Sequence, residues 1–167
     1  TLNSRLFFTF FVPVNKLLRM HIRSITFLCL AFFGALPVSA ISDLESFDKA
    51  NIIINGVEYH LEIAKTRAQR SRGLMYRQSL AEKEGMLFIY PGSGDHRIWM
   101  KNTLMPLTVI WLDSNESVIA VKQLQPCEAN FCPGYGVSRS SKYIIELKAG
   151  SHGIKPGDRI SGLKLFE

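Results

Sequence analysis

The stretch from Ile52 to Ala64 constrains the fold of this chain most. Two apolar runs, Ile52-Ile53-Ile54 and Val57 to Ala64, meet across Asn55-Gly56. Asn-Gly tolerates the positive φ angles of a tight type I′ turn, so the stretch predicts a β-hairpin. Along the second run Val57, Tyr59, Leu61 and Ile63 fall on one face, and Glu58, His60 and Glu62 on the other. A period of two means one buried face and one wet face. Further strands are expected at Met86–Tyr90, Arg97–Thr103, Leu107–Leu112, Val118–Leu124 and Tyr143–Leu147. Pro91-Gly92-Ser93-Gly94, Asp113-Ser114-Asn115 and Pro156-Gly157-Asp158 supply the breaks, and Arg159 to Leu165 closes the chain. One short helix interrupts the strands after Lys65. Thr66 with Gln69 three residues on forms a capping box, and Gly73 limits the helix to about two turns. The expected fold is mainly β: a compact single-domain β-sandwich or distorted barrel with one short α-helix.

Before this domain lies a different kind of sequence. Met20, His21, Ile22 and Arg23 begin a short charged start, Ile25 to Leu36 is apolar, and Val38-Ser39-Ala40 places small residues at its end. That order defines a secretory signal peptide. The expected organisation is an upstream extension at 1–19, a signal peptide at 20–40, a flexible leader at 41–50 and a single β-rich domain at 51–167. The expected location is outside the cytoplasm, periplasmic or secreted after cleavage near Ala40. A membrane contact is expected only through the signal segment if it stays uncleaved, because the apolar run is short for a span.

Removal of the signal changes the charge argument. The chain carries 20 basic and 14 acidic residues, formally +6; Arg5, Lys16, Arg19 and Arg23 precede residue 41 and no acid does, which leaves 16 against 14, or +2. The basic balance therefore does not point to nucleic acid as a partner. Cys29 leaves with the signal, and Cys127 and Cys132 remain as a pair in a compartment that permits disulfides. A structural disulfide is the expected state. A reducible redox pair is a weaker reading because the C-x-x-C spacing is missing.

Candidate chemistry gathers around Trp99 to Pro106. In a strand, Trp99, Lys101 and Thr103 share one face, and Met100 and Asn102 the other. The Lys101 ammonium can meet an anion, or it can lay its stem on the Trp99 indole and reach water. Asn102 offers both a donor and an acceptor. A second cluster holds Arg67, Arg70, Arg72 and Arg77. Arg67 and Arg70 are neighbours on a helix face. Arg72 falls at the helix end, where a cation can reach free carbonyls or turn inward to a carboxylate such as Glu62 or Asp158. Tyr135 adds an aromatic to the disulfide loop. His60, His96 and His152 are scattered, and no metal site and no cofactor are expected: the chain has no H-E-x-x-H, no G-x-S-x-G and no phosphate loop.

Several blocks together resemble the family known as domain of unknown function 192. They are Arg72-Gly73-Leu74-Met75, Gly85-Met86-Leu87-Phe88, Trp99-Met100-Lys101-Asn102-Thr103, Pro126-Cys127 with Cys132, Glu146-Leu147 with Ala149-Gly150, and Gly157-Asp158. The resemblance runs from about Ile52 to Leu165. It implies a compact mostly-β domain with a short helix, often exported, and it implies no established activity. One departure stands out: Pro106-Leu107 is followed by Thr108, where the family usually has an acidic residue.

The expected function is a non-catalytic exported binding or accessory module. Arg72, Lys101 and Asn102 would line a polar pocket for a small anionic ligand or a peptide terminus, with Trp99 and Tyr135 as its apolar walls. Two rivals stand beside it. One is an envelope hydrolase or transferase that uses Lys101 to stabilise an oxyanion. The other is a thiol-linked envelope redox partner that uses Cys127 and Cys132.

Overall fold

The computed structural model describes residues 46–150 and 152–167. The upstream stretch 1–19, the signal segment 20–40 and residues 41–45 lie outside the described residues. Among the described residues no helix is long and apolar enough to cross a membrane.

The hairpin forms as the sequence dictates. Strand β1 (Asp48–Ile54) pairs antiparallel with β2 (Val57–Ala64), and Ile54 faces Val57 across the turn. Asn55 and Gly56 both take positive φ, 49° and 77°, as a type I′ turn requires. β1 begins at Asp48, inside the segment read as a leader. Ala50 is buried there and pairs with Leu61, so the apolar face of β2 recruits it. The helix α1 (Arg67–Arg72) carries the expected capping box: Thr66 accepts from the Gln69 amide, and the Gln69 side chain accepts from the Thr66 amide.

The remaining strands are β3 (Glu84–Gly94), β4 (Ile98–Trp99), β5 (Leu107–Leu112), β6 (Val118–Leu124), β7 (Gly134–Tyr135) and β8 (Ser141–Lys148). Six of them build one sheet in the order β1-β2-β3-β8-β5-β6, and β4 and β7 form a small second sheet. β2 and β3 run parallel, joined by the crossover that contains α1; the other pairs of the large sheet are antiparallel. The edge strands β1 and β6 do not pair with each other, so the sheet stays open and no barrel closes.

Successive residues of the central strands alternate between two apolar clusters. Leu87, Ile110, Ile145 and Leu147 join Ile52, Leu61 and Ile63 in one, beneath Ile160 and Leu163. Met86, Phe88, Val109, Trp111 and Ile144 join Leu74, Leu80, Ile98 and Met100 in the other. Coverage on both faces explains why β3, β5 and β8 read as unbroken apolar runs while β2 alternates. The chain end adds a 3-10 helix (Leu163–Phe166) rather than a long strand; only Arg159 bridges to Ser117.

A candidate groove beside a buried carboxyl

Glu146 interrupts the apolar register of the sheet. It lies on β8, the strand between β3 and β5, and pairs with Met86 on one side and Val109 on the other. Its residue is only 4% exposed. Burial pushes its pKa from 4.5 up to about 8, against a smaller opposing pull from Arg77. Among the described residues its carboxyl makes no hydrogen bond and no ion pair. The sequence held a signal for it: a glutamate inside Tyr143–Leu147 sits in a run that is otherwise apolar on both faces.

Glu146 lines a small cavity of about 20 Å³ together with Arg70, Ser71, Arg72, Leu74, Phe88, Trp99 and Thr103. Arg70, Ser71, Ile98 and Trp99 also belong to the wall of a larger groove of about 540 Å³, completed by Arg67, Tyr90, Arg97 and Gly134. The groove is thus assembled from α1, the end of β3, the turn before β4, and β7.

Each wall has a local cause. Gly73 ends α1 with φ 48°, and a Cβ there would lie 3.2 Å from the Phe88 ring, so the chain can turn tightly onto the sheet only with glycine. The Arg70 guanidinium donates to the carbonyls of Lys65 and Ile89 and lies 4.9 Å from the Tyr90 ring centroid. Tyr90 stacks on His96 at 3.6 Å, and the His96 carbonyl accepts from the Trp111 indole at 3.1 Å. That bond ties the turn before β4 to the core. Arg97 donates to the Gly134 carbonyl at 2.5 Å and lies 3.5 Å from the Asp95 carboxylate. Burial pushes the Tyr90 hydroxyl above its usual pKa, with Arg70 lowering it and Glu146 raising it.

Two of the residues expected from sequence, Arg72 and Trp99, do line the buried cavity. Trp99 is 46% exposed and belongs to both spaces. Lys101, Asn102 and Tyr135 line neither the groove nor the cavity. The reason is backbone geometry. The strand stops at Trp99, and Asn102 turns left-handed with φ 57°, which ends the simple alternation expected through Thr103. Lys101 instead bridges to Cys127, and its ammonium lies 5.8 Å from the Trp99 ring centroid. Asn102 donates to the Tyr76 hydroxyl at 2.7 Å, and its carbonyl accepts from the Tyr76 amide at 2.8 Å. Tyr135 pairs with Ile98 in the small sheet. Of the two carboxylates considered for Arg72, Glu62 is held by both guanidinium nitrogens of Arg77, and Asp158 accepts from the Lys155 amide. Sequence reading missed Glu146, and it did not connect Arg67 and Arg70 with Arg97.

Cys127 and Cys132 are at bonding distance, with Cα atoms 5.8 Å apart. The loop they close leads into β7 and so to the Gly134 wall. Cys127→Ser is expected to cost about 2 kcal/mol through the freed unfolded chain. Urea unfolding of the oxidised protein and the variant measures it. Equal midpoints would mean that the Lys101 bridge and the β4–β7 pairing hold the loop alone.

The comparisons with known proteins agree with this architecture. The profile of domain of unknown function 192, described as Uncharacterized ACR, matches residues 50–162. The chain belongs to that family. A crystal structure from Sinorhizobium meliloti 1021, described as a candidate transcription regulator, is 29% identical with a TM-score of 0.62, covering 70% of this chain and 95% of its own. A protein of unknown function from Novosphingobium aromaticivorans DSM 12444 is 24% identical with a TM-score of 0.59, covering 76% of this chain and 90% of its own. No curated protein matches the sequence. Thr108, the departure noted in the sequence, is buried and structural. Its hydroxyl donates to the Gly150 carbonyl at 3.1 Å and lies 3.2 Å from the Gly150 amide, fastening the start of β5 to the end of β8.

Proposed function

We propose that this protein is an exported, non-catalytic binding module whose ligand carries an oxyanion, a carboxylate or a phosphate. One observation carries the reading: Arg67, Arg70 and Arg97, from two separate segments, line one groove with Tyr90 and Trp99. Guanidinium groups present a planar fork of donors that matches the oxygens of carboxylate and phosphate. Aromatic walls add apolar contact to whatever carries the anionic group. The carboxylate closest to these cations along the chain, Asp95, is paired among the described residues only with Arg97 and is itself exposed. The export signal read at Met20–Ala40 supports a location in the cell envelope or outside it.

A catalytic reading needs an activated nucleophile. Ser71 and Thr103 supply hydroxyls at the site, and neither is hydrogen-bonded to a His, Asp or Glu among the described residues. Lys101, the residue on which an oxyanion-stabilising role was placed, lies outside the groove lining.

Calorimetric titration with inorganic phosphate and with acetate, at pH 7 and low salt, tests the reading. Saturable binding is expected, weakening as salt screens the arginines. The double variant Arg67→Gln/Arg97→Gln should lose at least about tenfold in affinity, since hydrogen bonds to charged groups are worth about 1.5–3 kcal/mol each. Arg70 is left intact because it holds the Lys65 and Ile89 carbonyls. Unchanged affinity in the double variant, or no saturable binding by the wild type, removes the proposal.

A further inference from the structure

Two polar groups on buried residues beside the groove make no hydrogen bond to protein among the described residues. They are the Glu146 carboxyl and the Thr103 hydroxyl, in residues 4% and 6% exposed, and both touch the 20 Å³ cavity. The fully enclosed side-chain polar atom without a hydrogen bond among the described residues is the Ser141 hydroxyl; the Glu146 and Thr103 oxygens keep accessible surface, and the cavity that both residues line is where an entering oxygen can hydrogen-bond to them. A volume of about 10–15 Å³ is enough for one water-sized oxygen, and the cavity is too small for a whole carboxylate or phosphate group. Arg70, Ser71, Ile98 and Trp99 line both the cavity and the adjoining groove.

We propose that one oxygen of the bound oxyanion enters this cavity, where Glu146, as a neutral carboxylic acid, donates a hydrogen bond to it beside the Thr103 hydroxyl. The inference rests on the oxyanion reading of the groove. It adds which ligand atom is read, and it makes binding depend on a proton held by the protein.

The charge logic is direct. An ionised Glu146 has no proton to donate and repels an anion at contact distance, whereas the acid form donates. The charged and titratable groups around Glu146 are Arg70 and Arg72 from α1, Arg77 beyond it and Tyr90 from β3. Its neighbours on β5 and before it, Val109, Trp99 and Thr103, carry no charge. Tyr90 is raised above its usual value, so it stays neutral across the range that matters. Burial holds the Glu146 proton up to about pH 8. Losing that proton should lower affinity about tenfold between pH 7 and pH 9.

The test titrates acetate, and separately inorganic phosphate, into the full chain at pH 7 and pH 9. Acetate keeps one charge throughout, so its pH dependence belongs to the protein. The wild type should lose about tenfold in acetate affinity between the two. Glu146→Gln keeps a neutral donor and should bind equally at both. Thr103→Val should weaken binding at both. The tighter of the two probes names the source of the oxyanion, a carboxylate or a phosphoryl group. If wild type and Glu146→Gln lose affinity in parallel, the Glu146 assignment falls while the arginine groove stands. If the wild type binds neither probe at either pH, the groove reading falls and this inference with it. A second readout is independent of any variant. Saturating acetate should move the midpoint of the Glu146 carboxyl ¹³C resonance to higher pH, and a midpoint that stays put overturns the assignment.

Discussion

Glu146→Gln is expected to be markedly more stable than the wild type at pH 9 and to match it closely below pH 5. In the fold the carboxyl sits between Met86 and Val109, and burial raises its pKa from 4.5 to about 8. The unfolded chain ionises near the lower value and the native protein near the upper one. Between them, unfolding releases a proton, so rising pH favours the unfolded state. Stability is therefore fully present below the unfolded value, declines through the window, and reaches its floor above the folded value. The expected slope is about 1.4 kcal/mol per pH unit. Across the window this amounts to roughly 5 kcal/mol. Glutamine has no charge to bury, so the difference between the two proteins isolates this one group. Denaturant unfolding of both from pH 4 to pH 9 measures it. Parallel stability curves would show that Glu146 ionises in the fold as it does in water.

Gly85→Ala should be the most damaging small substitution. Gly85 opens β3 opposite Leu147, and a Cβ built there would lie 2.3 Å from the Glu146 carbonyl oxygen and 2.7 Å from a Leu147 methyl. The first of these is backbone in the centre of the sheet, which cannot swing aside as a side chain can. Either β3 and β8 separate or their hydrogen bonds distort. The expected cost is about 3 kcal/mol or more, at the upper end for overpacking. The damage should also reach the site, because the strand that must move is the one carrying Glu146. Gly92→Ala is the control: it lies on the same strand, has nothing within 4 Å of a built Cβ, and should change stability by less than about 0.5 kcal/mol. Thermal or urea unfolding of the two variants side by side decides the matter. A Gly85→Ala protein as stable as Gly92→Ala would mean that β3 and β8 can part at little cost.

Both predictions depend on β8 lying between β3 and β5, and that placement was not legible in the sequence. Tyr143–Leu147 announces a strand, and its apolar character announces burial. Nothing in the run says which strands flank it. The same holds for the groove. Arg67 and Arg70 read locally as a solvated helix face, and Arg97 as the start of a strand. They meet because the crossover from β2 to β3 lays α1 beside the turn that Trp111 holds through the His96 carbonyl. The Trp99 block illustrates the opposite error. A period-two reading gave Lys101 and Thr103 one face, but the left-handed turn at Asn102, paired to Tyr76, broke the period. Thr103 went into the cavity and Lys101 stayed outside with the indole.

What the sequence by itself determined is what short-range physics controls. Asn55-Gly56 set the hairpin turn, Thr66 and Gln69 set the helix start, Gly73 set its end, and a short span of four intervening residues kept Cys127 and Cys132 within reach of each other. Those features depend on dihedral preferences and on bonds spanning a few residues. The tertiary structure alone decided the strand order, the open sheet, and the convergence of Arg67, Arg70, Arg97, Thr103 and Glu146. Strand order follows from which apolar faces best exclude water once the whole chain has collapsed, a sum over contacts far apart in sequence. The buried carboxyl shows this directly: the same glutamate on an edge strand would be an ordinary surface charge, and only its place in the middle of the sheet makes it an acid that keeps its proton.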